Sequence, residues 1–154
     1  MTEIDLLDAL AAETADALKG FRLRSAKENL IPINIYTQNL PTKEGKGDEN
    51  QYPYVRVCFD EEEIKSRDDP LEVYVYFIIG IIDKEKDKQG FRDVLQIANT
   101  IYQHFFRKGI IASMFRPDYP FKIALQKDDT YPYFVGGIES KWELPVIGEE
   151  EKYI

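Results

Sequence analysis

Apolar residues along this chain fall into two runs with helical spacing and a series of runs with strand-like spacing. Ile4, Leu7, Leu10, Ala11, Thr14 and Leu18 recur three or four apart, Asp5, Asp8, Glu13 and Asp16 lie mainly on the other side, and Gly20 follows as a stop. That pattern predicts an amphipathic helix. The sequence "IPINIY" predicts a short strand, and the stretch from Leu40 to Gln51, with Pro, Gly and polar residues and no period, predicts a loop. Tyr54 to Phe59 and Leu71 to Ile82 read as two further strands, joined by "DEEEIKSRDDP". An antiparallel hairpin is expected there, because a parallel crossover takes about a dozen residues or more and usually a helix. Residues of both parities are apolar in Leu71 to Ile82, so both faces of that strand are expected to be covered, by a central place in the sheet or by a subunit contact.

Phe91, Val94, Leu95, Ala98, Ile101, Tyr102 and Phe105 predict a second helix, closed by Gly109. After it "FKIALQ" alternates, and "YFVGGIESKWELPVI" sets Ile138, Ser140, Trp142 and Leu144 on one face against Glu139, Lys141 and Glu143 on the other. Trp142 is expected in the core, and Gly136 and Gly137 are expected to mark a bulge. The whole chain, residues 1–154, is expected to form a single α+β domain. Its mostly antiparallel sheet has about five strands, with two main helices packed on one face.

Charge and side-chain chemistry narrow the function. The chain carries 28 acidic and 20 basic residues, a formal net charge of −8, which opposes tight binding to nucleic acid phosphates. Val73 to Ile82 is too short to span a bilayer, and the N-terminal residues lack the basic start of a secretion signal, so no membrane role is expected and the chain is expected to stay in the cell that makes it. Cys58 is the sole cysteine and reads as a small core hydrophobe. His104 is the sole histidine, near the end of the second helix, without a second histidine to complete a metal pair. An EF-hand beginning at Asp83 needs Gly and Glu where Lys88 and Val94 stand. No G-x-S-x-G, H-E-x-x-H or phosphate-binding glycine loop occurs. The expectation is a chain with no catalytic residues, no metal and no cofactor.

The hairpin ending in "YVYFIIGIID", the helix "DKQGFRDVLQIANTIYQHFF" after a charged loop and the closing "YPYFVGGIESKWELPVI" together resemble the tail terminator, or tail completion, proteins of tailed bacteriophages and prophages. The resemblance covers about Tyr52 to Ile147 and is one of element order and local phrases. It implies a non-enzymatic subunit of a homo-hexameric ring that stops growth of the tail tube and joins it to the head. Its partners would be its own copies, the tail tube protein and the head connector protein. Its place would be the virion tail, and the bacterial host cytoplasm during assembly. In such a ring, the carboxylates Glu61, Glu62, Glu63, Asp68 and Asp69 are expected on a hairpin turn near the lumen or the tube-facing rim. Their mutual repulsion would weaken assembly at low salt, and would also keep DNA from sticking. Residues 41–51 and 60–70 are expected to be mobile in the free subunit and ordered by its partners. Two other readings fit the same residues: a head–tail connector or tube-like virion subunit, and an α+β domain with a small-molecule pocket between sheet and helices.

Overall fold

The computed structural model describes residues 2–41 and 51–146. Helix α1 spans Glu3–Ala17, strands β1 (Leu23–Arg24) and β2 (Leu30–Ile31) form a small antiparallel pair, and β3 (Asn34–Thr37), β4 (Tyr54–Glu63) and β5 (Leu71–Ile82) follow. Helix α2 (Phe91–Lys108) precedes β6 (Arg116–Leu125) and β7 (Tyr133–Leu144). The main sheet has the order β3-β4-β5-β7-β6. Every pairing in it is antiparallel except the short edge pair β3–β4. The expected α+β class therefore holds, with the β1–β2 pair and the parallel edge added.

A capping box starts α1: Thr2 Oγ1 accepts from Asp5 N (3.2 Å), and Asp5 Oδ2 accepts from Thr2 N (2.9 Å). The buried stripe of α1 is Leu6, Leu10 and Thr14, continued by Leu18. Ile4, placed on the inner face by spacing alone, is 67 % exposed. Ile4 stands two residues before Leu6, about 200° round the helix axis from it, and so falls outside the Leu6–Leu10–Thr14 stripe. Helix α2 buries Val94, Ile97, Ala98, Ile101 and Phe105, and Gly109 ends it at φ 73° with its N–H on the Phe105 carbonyl (2.9 Å).

Both helices cover the same side of the sheet, α1 over β3 and β4, α2 over β5, β6 and β7. In β5 the odd residues from Leu71 to Ile81 point at them and are buried, together with Val55 and Val57 of β4 and Ile138, Trp142 and Leu144 of β7. The even residues Glu72, Tyr74, Tyr76 and Ile78 are only half-buried. The expected central position holds, with β4 and β7 on either side, and the even residues Gly80 and Ile82 are buried as well, but among the described residues no helix packs on Glu72, Tyr74, Tyr76 and Ile78.

The glycine pair 136–137 is no bulge. Its register with β5 runs unbroken, Ile78 opposite Gly137 and Ile79 opposite Gly136, and the irregularities fall instead between Phe59 and Glu61 and between Asp118 and Lys122. The glycines serve close approach: a Cβ on Gly136 would lie 2.7 Å from Val94 Cγ1 of α2 and 2.9 Å from the Ala124 carbonyl oxygen.

Candidate functional site

The β4–β5 hairpin carries the five acidic residues singled out from sequence, but it does not gather them on one surface. Glu61, Glu62 and Glu63 belong to strand β4 rather than to a turn. The strand period of two therefore separates them. Glu61 and Glu63 pair with Tyr74 and Glu72 and share their uncovered face of the sheet. Glu62 lies between them in register with Val73 and faces the helices. Asp68 and Asp69 occupy the exposed turn, where Ser66 Oγ donates to Asp69 Oδ2 (2.9 Å) and accepts from Asp68 N (3.3 Å). Of the segment expected to be loose, Glu61, Glu62 and Glu63 are paired strand, because the irregularity at Asp60 lets pairing continue to Glu63 and Glu72. Of the other segment expected to be mobile, residues 42–50 lie outside the described residues. Its end at Gln51 is buried, with Nε2 donating to the Pro41 carbonyl (2.6 Å).

Glu62 has the most perturbed surroundings of the five. Burial, then a hydrogen bond with the Glu3 carboxyl, then the charge of Glu3, push its carboxyl above the usual carboxylate range. Its Oε1 is buried without a hydrogen-bond partner. The folded chain therefore holds this proton more tightly than the unfolded one, so the associated stability is full below the ordinary carboxylate pKa and is lost as pH rises through the raised value. Glu62→Gln should gain in thermal stability over the wild type as pH rises from about 4 to about 7. A difference between the two proteins that is constant with pH would refute the assignment.

The face of the sheet away from the helices is a second candidate surface. Tyr74, Tyr76 and Ile78 of β5 run along its middle, flanked by Arg56 and Cys58 of β4 and Glu139 and Lys141 of β7. Salt links tie one end of it together: Lys65 Nζ to Glu72 (3.1 Å), and Lys141 Nζ to Asp118 (3.2 Å) and Glu72 (3.8 Å). A hydrogen bond to Asp60 pushes the Tyr76 phenol up. At the other end a groove of about 390 Å³ opens between Tyr76, Ile78, Lys122, Ala124 and Glu139. Its floor is Gly137, where a Cβ would lie 2.9 Å from the Phe77 carbonyl oxygen. Sequence reasoning did not anticipate this groove, although the small residues Ala124 and Gly137 beside Ile78 are the signal for a furrow. Cys58 on this face is buried as expected, its thiol donates to the Gln38 carbonyl (3.3 Å), and burial pushes that thiol up against the opposing charge of Arg56.

His104 faces the other side of the molecule, in a clamp between the helices. Its Nε2 lies 2.7 Å from Glu13 Oε1 of α1, and Lys108 Nζ lies 2.8 Å from Glu13 Oε2. Burial pushes the Glu13 carboxyl up, but the hydrogen bonds and charges of Lys108 and His104 outweigh it and hold Glu13 below the usual range. The arrangement fixes α1 against α2. Among the described residues, no three or more His, Cys, Asp or Glu side chains are grouped to hold a metal ion, and no helix is long and apolar enough to cross a membrane. No protein-family model matches this chain, and no curated protein matches it.

Proposed function

We propose that this chain is a structural subunit of the tail-terminator kind, whose copies form a ring that caps a phage tail tube and presents a surface to the head connector. The observation that carries this reading is the one-sided sheet. Helices cover one face, while the other keeps a band of Tyr74, Tyr76 and Ile78 between charged rows. Tyrosine-rich bands with a polar rim are the composition of protein contact surfaces, since tyrosine offers a large rigid contact area together with a hydroxyl. The resemblance in element order supports the same reading, and so does the placement of Glu61 and Glu63 on that face with Asp68 and Asp69 at the adjoining turn. A ring with this face turned to the lumen or the tube rim presents carboxylates that repel DNA.

The test is native mass spectrometry and electron microscopy of the protein, alone at high concentration and mixed with purified tail tubes. Closed rings, or tubes with one capped end, are expected. A chain that stays monomeric in both settings sinks the reading and favours a monomeric domain that uses the groove over Gly137 for a small ligand.

A further inference from the structure

The main sheet ends in two open rows of backbone groups, one along β6 and one along β3. At β6 the Gln126 N–H donates to the Val135 carbonyl (2.9 Å), and the register with β7 sends the N–H groups of Lys122 and Ala124 inward with it. Those of Ile123 and Leu125 therefore point away from the sheet, and among the described residues they meet no acceptor. The same alternation governs β3. Asn34 N–H donates to the Pro53 carbonyl (3.0 Å) and Gln38 N–H to the Val57 carbonyl (2.8 Å), so Ile35 and Thr37 turn theirs outward. An open row of this kind is a template for a further strand. Pro117 and Pro120 guard the first half of β6 against one, but residues 121–125 contain no proline, and Lys122 is their sole charge.

The side chains beside the two rows match. On the face away from the helices, the groove of about 390 Å³ over Gly137 runs out to the β6 edge at Ala124, which is exposed. At the other edge Tyr36 lies on that same face of the sheet, in register with Arg56. On the helix side Ile123 is 40 % exposed, and Ile35 is half-buried. The strand directions match as well. β3 runs parallel to β4, and the three antiparallel pairings from β4 to β6 then leave β6 running opposite to β3. Two copies set side by side with their helices on the same side thus bring β3 and β6 together antiparallel.

We propose that neighbouring copies join edge to edge, β3 of one pairing antiparallel with residues 121–125 of the next and laying its Tyr36 in the groove over Gly137. This rests on the ring reading and names the contact within it. The phase of the two rows admits Ile35 with Leu125 and Thr37 with Ile123 as hydrogen-bonded pairs, with Tyr36 between them opposite Ala124. Beyond them Asn34 stands opposite Gln126 and Gln38 opposite Lys122, so no two like charges meet. A shift by two residues keeps the phase but puts Asn34 or Gln38 at Ala124, and neither offers the apolar ring that fills the groove. A head-to-tail contact of this kind closes into a ring when its rotation permits, and it makes the tyrosine bands of all copies one continuous surface.

Disulfide cross-linking reads the register directly. Thr37→Cys with Ile123→Cys, in a Cys58→Ser background, should give covalent oligomers on mild oxidation, because opposed residues of an antiparallel pair lie within disulfide reach. Within one chain these positions are four strand spacings apart, about 19 Å, so the bond can only join two chains. Thr37→Cys with Leu125→Cys, out of register, should give far less. Two further variants leave the cysteines alone. Tyr36→Ala should weaken self-association by about thirtyfold in sedimentation, the effect of losing a hot spot. Ile123→Pro removes one outward N–H and keeps the bonds to β7, so its circular dichroism should match the wild type while assembly fails. If wild-type rings form but the in-register cysteines cross-link no better than the control pair, or both further variants assemble like the wild type, the edge contact is wrong and the ring stands. Cross-linked chains without rings or capped tubes keep the edge contact and end the ring reading. If the wild type neither self-associates nor caps tubes and the cysteines do not cross-link, both fall.

Discussion

Trp142→Ala should lower the stability of this protein by about 3–5 kcal/mol, the cost of deleting a large aromatic from a core that can only partly collapse. Trp142 is fully buried on the helix-facing side of β7. The Phe105 ring of α2 meets it edge-on at 5.2 Å, and Phe121 of β6 at 6.0 Å. One residue thereby joins three elements. Its indole N–H donates to Ser140 Oγ (2.9 Å), whose hydroxyl donates to the Val75 carbonyl of β5 (2.8 Å), so the polar edge of the ring is satisfied inside the core. Removing the indole leaves a cavity and takes a partner from Ser140. Because Trp142 is the only tryptophan, the loss must be read by circular dichroism in urea rather than by tryptophan fluorescence. A change below about 1 kcal/mol would place the ring outside the core.

Gly136→Ala should cost about 1–3 kcal/mol, although alanine differs from glycine by one carbon and glycine is a poor strand residue. The added Cβ meets Val94 Cγ1 at 2.7 Å and the Ala124 carbonyl oxygen at 2.9 Å, closer than such atoms pack. Val94 is 1 % exposed, and Ala124 is backbone of a strand paired to β7, so neither yields without moving α2 or β6. Adding Val94→Ala should restore part of the loss by clearing the helix side. If the double variant is as unstable as the sum of the two single ones, steric crowding is not the cause.

These two residues show how differently positions in one strand are legible. Trp142 alternates with Glu139, Lys141 and Glu143, and a strand's period of two sends it inward whatever the partner elements are. The same local rule placed α2, the β4–β5 hairpin and β7, because each carries a strong period and a turn signal. Gly136 has no side chain to follow a period. Its reason is the approach of α2 and the Ala124 carbonyl, contacts made by residues far along the chain.

The candidate site divides in the same way. Acidic residues from Glu61 to Asp69 could be found by reading along the chain, but whether they share a surface depends on where β4 stops pairing. A bulge after Phe59 carries the strand to Glu63 and turns Glu62 toward Glu3, while Glu61 and Glu63 point away. The sequence by itself determined the α+β class, the two helices, the hairpin and the buried side of β7, since local periodicity and charge suffice for these. Only the tertiary structure decided that the even residues of β5 from Glu72 to Ile78 lie under no helix and that Glu13 of α1 meets His104 and Lys108 of α2. Both depend on which strands are neighbours and on which side the helices settle, and no residue expresses either property alone.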